Sequence, residues 1–184
     1  MFTRLLERIA LGLEQRQIPY MIIGGQAVLI YGEPRLTRDI EVTLGAGPER
    51  LAELLALVDA SGWRLLVESP QEFVQRTMVL PCVDPESDIR IDFIFSHSPY
   101  EQQAMGRVRR VAIGKAAVCF AAAEDVIVHK IVAGRPRDLD DVRSILLKNP
   151  ELDRAYIRQW LAEFNRSLGE NYAQTFEHLA QSVP

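Results

Sequence analysis

Apolar residues recur along the chain at two alternating periods, and the switches between them mark out most of the elements. Phe2, Leu5, Leu6, Ile9 and Leu13 follow helical spacing, so the first segment is predicted to be an amphipathic helix ending before Pro19. Tyr20–Ile23 is a continuous apolar run stopped by Gly24-Gly25, which predicts a buried strand turning sharply into a short helix over 26–31. Between Arg38 and Leu44 the period drops to two. Asp39 and Glu41 fall on one face there, and Ile40, Val42 and Leu44 on the other. A helix through Leu51, Leu54, Leu55 and Val58 follows, closed by Gly62, and then a strand over 63–68. Segments 74–83 and 89–95 are predicted to be two strands, joined hairpin-fashion by the turn-forming Asp84-Pro-Glu-Ser-Asp88. In the second, Ile89, Ile91, Phe93 and Phe95 alternate with Arg90 and Asp92, which puts an acid in mid-strand. Ser98-Pro99 opens a short helix, 107–120 holds one or two strands, and 122–133 and 138–147 are helices. Two more helices, 153–168 and 170–182, complete the chain. This order implies an α/β or α+β fold, a mixed sheet with helices packed on it. The seam at Asn149-Pro150 divides a first domain, 1–148, from a C-terminal helical extension, 149–184.

Composition narrows the class. A chain of 184 residues with 48% hydrophobic and 25% charged residues is globular in type, and a net charge of −4 excludes a surface that is basic throughout. Cys82 and Cys119 stand far apart and form no CxxC pair, so neither a disulfide framework nor a structural zinc site is expected. No apolar run approaches the roughly 20 residues that cross a bilayer. A soluble, cytoplasmic protein with no membrane partner is expected. His97, His129 and His178 lack metal-ligand spacing and are expected to be structural or on the surface. Arg107-Val-Arg-Arg110 reads as a solvated strand end more readily than as a nucleic-acid contact.

The segment 23–42 carries the chemistry. A strand ending in Gly24-Gly25 and feeding a helix leaves backbone N–H groups open at a helix N-terminus, a setting that suits phosphate oxygens. Asp39 and Glu41, roughly 6–7 Å apart along one strand face, suit a hard cation, and Asp92 on another strand would supply a third carboxylate. Three carboxylates near a phosphate cradle describe a site for two Mg²⁺ (or Mn²⁺) ions.

With its Gly24-Gly25, Asp39-Ile-Glu41 and Asp92, the chain resembles the DNA polymerase β-like nucleotidyltransferase superfamily. Within it, Pro34-Arg-Leu-Thr-Arg-Asp39 and the stretch from Asp125 to Val142 are most similar to small bacterial AbiEii-type nucleotidyltransferases, the toxin halves of toxin–antitoxin systems. The resemblance covers about residues 2–148. It implies transfer of a nucleoside monophosphate from a nucleoside triphosphate to a hydroxyl acceptor, RNA, tRNA or protein being candidates, with a cognate antitoxin as a further candidate partner. By the same resemblance Asp39, Glu41 and Asp92 are the metal-binding and catalytic acids. Gly24 and Gly25 cradle the triphosphate, Lys130 neutralises phosphate charge, and Asp138 belongs to the nucleotide site. Lys130 borders the apolar stripe of its helix and is expected to extend along it toward a wet cavity.

Plainer readings exist beside these. Gly24-Gly25 makes a tight turn in any case, Asp39 and Glu41 could face solvent beside Arg35 and Arg38, and Asp92 could simply pair with Arg90. Lys130 could be an ordinary helical cation, and Asp138 a helix-start residue favoured by the macrodipole. Two functional alternatives follow: an inactive nucleotide-binding or complex-forming protein of the same fold, and an antibiotic (aminoglycoside) nucleotidyltransferase.

Overall fold

A computed structural model describes residues 1–96 and 98–183; His97, and with it the reading of that histidine, lies outside them. The chain divides into two compact units, 1–23 with 37–121, and 24–36 with 122–184. The helices anticipated as an extension after residue 149 thus fall in one unit with residues 24–36 and 122–148.

The first unit holds a mixed sheet of seven strands: β1 (Tyr20–Ile23), β2 (Asp39–Gly45), β3 (Arg64–Leu65), β4 (Val79–Asp84), β5 (Ile89–Ser96), β6 (Arg109–Ile113) and β7 (Ala116–Phe120). Their spatial order is β3-β4-β5-β2-β1-β7-β6. Two neighbouring pairs, β2–β5 and β1–β7, run parallel, while β1–β2, β3–β4, β4–β5 and β6–β7 run antiparallel. The apolar positions of the alternating strands, Ile40, Val42 and Leu44 on β2 and Ile91, Phe93 and Phe95 on β5, are buried. Trp63 joins this side, its ring 6.1 Å from that of Phe93. Helix α1 (Phe2–Gln15) buries Leu5, Leu6, Ile9 and Leu13 and packs on β6 and β7.

Two expectations needed revision. Residues 70–77 form a helix, α4, where a strand starting near Val74 was predicted. Pro70 in the first turn presets its φ, and Met78 closes it in the left-handed conformation (φ 60°). The strand after Trp63 is shorter than expected, Arg64–Leu65, with Leu66 N donating to the Pro81 carbonyl at 3.0 Å beyond it.

The second unit is helical: α2 (Gly24–Tyr31), α6 (Ala123–Ala133), α7 (Pro136–Lys148), α8 (Arg154–Leu168) and α9 (Tyr172–Gln181). Val126, Ile127, Ile131, Val142, Ile145, Ile157, Leu161 and Phe176 are buried. Polar ties pin the helices at defined points. The Tyr156 hydroxyl donates to Asp125 Oδ1 (2.7 Å), and Asn149 Nδ2 donates to the carbonyls of Tyr31 (2.8 Å) and Ile145 (2.7 Å).

Candidate active site

In the first unit the acids are gathered by strand register. Along β2 and β5, Asp39 is the partner of Arg90 and Glu41 of Asp92. Register partners of neighbouring strands point to the same side, as do residues two apart on one strand. Asp39, Glu41, Arg90 and Asp92 therefore form a two-by-two array on one face, opposite the buried Ile and Phe positions. Asp39, Glu41 and Asp92 are half-buried and Arg90 is exposed. On the other flank Glu41 is in register with Ile23, the last residue of β1.

This arrangement places three oxygen-donor side chains where adjacent strands run about 4.8 Å apart, a donor set suited to Mg²⁺ or Mn²⁺. As they stand, the carboxylates are engaged elsewhere. Arg90 Nε donates to both oxygens of Asp92 at 2.9 Å, and Thr37 Oγ1 donates to Asp39 Oδ1 at 2.8 Å. Accordingly, among the described residues no three His, Cys, Asp or Glu side chains draw together closely enough to hold an ion. The backbone supplies the placement, and side-chain rotation would have to supply the convergence.

At the end of β1 the chain passes through Gly24, whose φ of 62° is left-handed. Only glycine takes that conformation without strain, so the turn that starts α2 depends on it. Gly24 and Gly25 are both buried.

Lys130 and Asp138 belong to the second unit, and there they meet each other. Lys130 is only 5% exposed; its Nζ donates to Asp138 Oδ1 at 2.6 Å and lies 3.0 Å from Asp141 Oδ2. Arg35 then clasps Asp141 from the other side, Nε to Oδ1 at 2.8 Å and Nη2 to Oδ2 at 2.9 Å. Arg135 Nε donates to Asp138 Oδ2 at 2.6 Å. Burial alone would raise the pKa of Asp138, but hydrogen bonds from Arg135 and Lys130 outweigh it and hold this carboxyl below its ordinary value. The network binds α6 and Arg35 to the first two turns of α7. Arg35 and Asp141 lie within the two quoted family stretches but were given no part in a site there, and Arg90 was visible only as a candidate ion-pair partner of Asp92.

Residues 2–180 match the family described as nucleotidyltransferase of unknown function (DUF6036), and the chain belongs to that family. None of the curated proteins matches the chain significantly. Among solved structures it is similar in fold to the antibiotic-resistance factor ANT(2'')-Ia, with 19% identity, TM-score 0.61, and coverage of 96% of this chain and 95% of that one. An antigenic nucleotidyltransferase-like protein from Paracoccidioides brasiliensis is 14% identical over 98% of this chain and 92% of its own, with TM-score 0.58. The lincosamide antibiotic adenylyltransferase LnuA, bound to lincomycin, is 12% identical over 72% of this chain and 89% of its own, with TM-score 0.51.

Among the described residues no helix is long and apolar enough to cross a membrane.

Proposed function

We propose that the protein transfers a nucleoside monophosphate from a nucleoside triphosphate to a hydroxyl acceptor, releasing pyrophosphate. The observation that carries this reading is the register that sets Glu41 beside Asp92 and Asp39 two residues away on the same sheet face. In this reading Asp39, Glu41 and Asp92 hold Mg²⁺ or Mn²⁺, and the ion supplies charge neutralisation on the triphosphate and acidifies the acceptor hydroxyl. Asp92 takes the acceptor's proton, and its half-buried position keeps it within reach of solvent for returning that proton. The backbone N–H groups of Gly24 and Gly25 serve the triphosphate. Lys130 and Asp138 act chiefly as positioning residues, because the ammonium is already divided between two buried carboxylates.

A small hydroxylated acceptor is favoured by the likeness in fold to ANT(2'')-Ia, which was solved in complex with adenylyl-2''-tobramycin. The likeness extends over 90% of this chain and 98% of that one. RNA, the acceptor implied by the AbiEii-type motif together with an antitoxin partner, is the competitor. The test offers α-labelled nucleoside triphosphates and Mg²⁺ with an aminoglycoside panel and with tRNA. Label in a small-molecule product, absent with Asp39→Ala, is expected; label in tRNA would reassign the acceptor.

A second reading, nucleotide binding without turnover, draws on the doubly bonded Arg90–Asp92 pair, which ties up one of the three acids. Binding of triphosphate with no pyrophosphate released under any acceptor would favour it.

A further inference from the structure

The guanidinium inside the acid array has no part in the chemistry outlined above, yet its position is specific. Arg90 shares the face of Asp39, Glu41 and Asp92, is the register partner of Asp39, and bonds both oxygens of Asp92 through one nitrogen. The two ends of this pair differ in exposure. The Asp92 side chain is 17% exposed, while that of Arg90 is 54% exposed and reaches the carboxylate from the solvent side. An ion pair with one such partner contributes only about 0–1 kcal/mol. It is strong enough to orient a carboxylate and weak enough to be exchanged.

We propose that Arg90 is an internal counter-ion that holds Asp92 in the metal-free protein and is exchanged for a divalent cation when the array loads. The proposal rests on the reading of Asp39, Glu41 and Asp92 as metal ligands. Three carboxylates on one face repel each other, and a single guanidinium relieves that repulsion without closing the site. A cation entering the array must take the Asp92 oxygens from Arg90, whose long stem lets the charge swing away while remaining on the same face. Arg90 thereby sets how much cation is needed to assemble the site. Without it, like-charge repulsion would be unrelieved and the cation would bind more tightly. A unit positive charge about 6 Å from a dication in water is worth roughly one factor of ten in affinity, and more where water is partly excluded.

The test measures binding of Mn²⁺ alone, by the loss of the free-ion electron paramagnetic resonance signal, to wild type, Arg90→Gln, Arg90→Lys, Asp92→Asn and the Arg90→Gln/Asp92→Asn double variant. Circular dichroism checks that each folds, which an exposed position should permit. Arg90→Gln is expected to bind Mn²⁺ about tenfold more tightly, and Arg90→Lys to stay near wild type because it keeps the charge. The gain is expected to vanish in the Asp92→Asn background. Unchanged or weaker affinity in Arg90→Gln would overturn the proposal, and so would a gain that survives Asp92→Asn. If wild type binds no Mn²⁺ at all, the exchange does not exist. Failure of the functional reading looks different: no nucleotidyl transfer by wild type, with the Mn²⁺ exchange intact.

Discussion

Lys130→Met removes an ammonium from between two buried carboxylates while keeping most of the side chain's volume. Asp138 and Asp141 are 2% and 6% exposed, so neither can recover its lost partner from water. Removing one member of a buried ion pair commonly costs about 3–5 kcal/mol. Here the lower end applies, about 3 kcal/mol, because Arg135 still reaches Asp138 and Arg35 still holds Asp141 by two bonds. In a chain of this length that corresponds to a fall in Tm of roughly 6–12 °C. The pH dependence has a definite sign. The folded-state pKa of Asp138 lies below its ordinary value, so the stability it contributes is present above the unfolded carboxyl's value of about 4 and is lost as pH falls through the folded one. The difference between wild type and Lys130→Met should therefore be full at pH 7 and shrink below about pH 4. Urea unfolding of both proteins across that range measures it. A loss under about 1 kcal/mol at pH 7, with no narrowing on acidification, would mean that the ammonium does not hold the two acids in place and would return Lys130 to the role of a phosphate-binding cation.

Gly24→Ala forces a side chain into the left-handed region (φ 62°) and should cost about 1–2 kcal/mol, read by chemical denaturation; an unchanged midpoint would mean the turn is not needed in that form. Tyr20→Phe leaves the buried N–H of Cys119 without the hydroxyl that accepts from it at 3.2 Å, and a loss of about 1–3 kcal/mol is expected in the same assay. A neutral result would show that this N–H finds another acceptor.

What the chain spells out in local periodicity agrees closely with the structure. The strand Tyr20–Ile23 follows from a continuous apolar run, and the same-face pair Asp39/Glu41 and the mid-strand Asp92 follow from alternation; both are nearest-neighbour properties. Two things were not legible. One is the helix over 70–77: Val74 is its sole buried residue, so the helical period is carried by a single apolar position, and only Ser69-Pro70 signals a start. The other is the pairing across the chain. That Glu41 lies in register with Asp92 depends on β5 inserting between β4 and β2, and Arg35 meets Asp141 across 106 positions. Sequence spacing carries no information on either. It is also why Lys130, which by its helical position should border solvent, is buried: the acids that pay for that burial come from the next helix and were visible only as helix-start residues.

The face bearing Asp39, Glu41 and Asp92 is proposed to perform nucleotidyl transfer. Pyrophosphate release from nucleoside triphosphates in the presence of Mg²⁺ and the acceptor panel, compared between wild type and Asp39→Ala, tests it most directly. Wild type should release pyrophosphate in step with labelled product, and Asp39→Ala should release none while melting no lower than wild type, since it relieves repulsion among like charges. Equal release by the two proteins, or a lowered melting temperature with activity unchanged, would contradict the claim and assign Asp39 to structure.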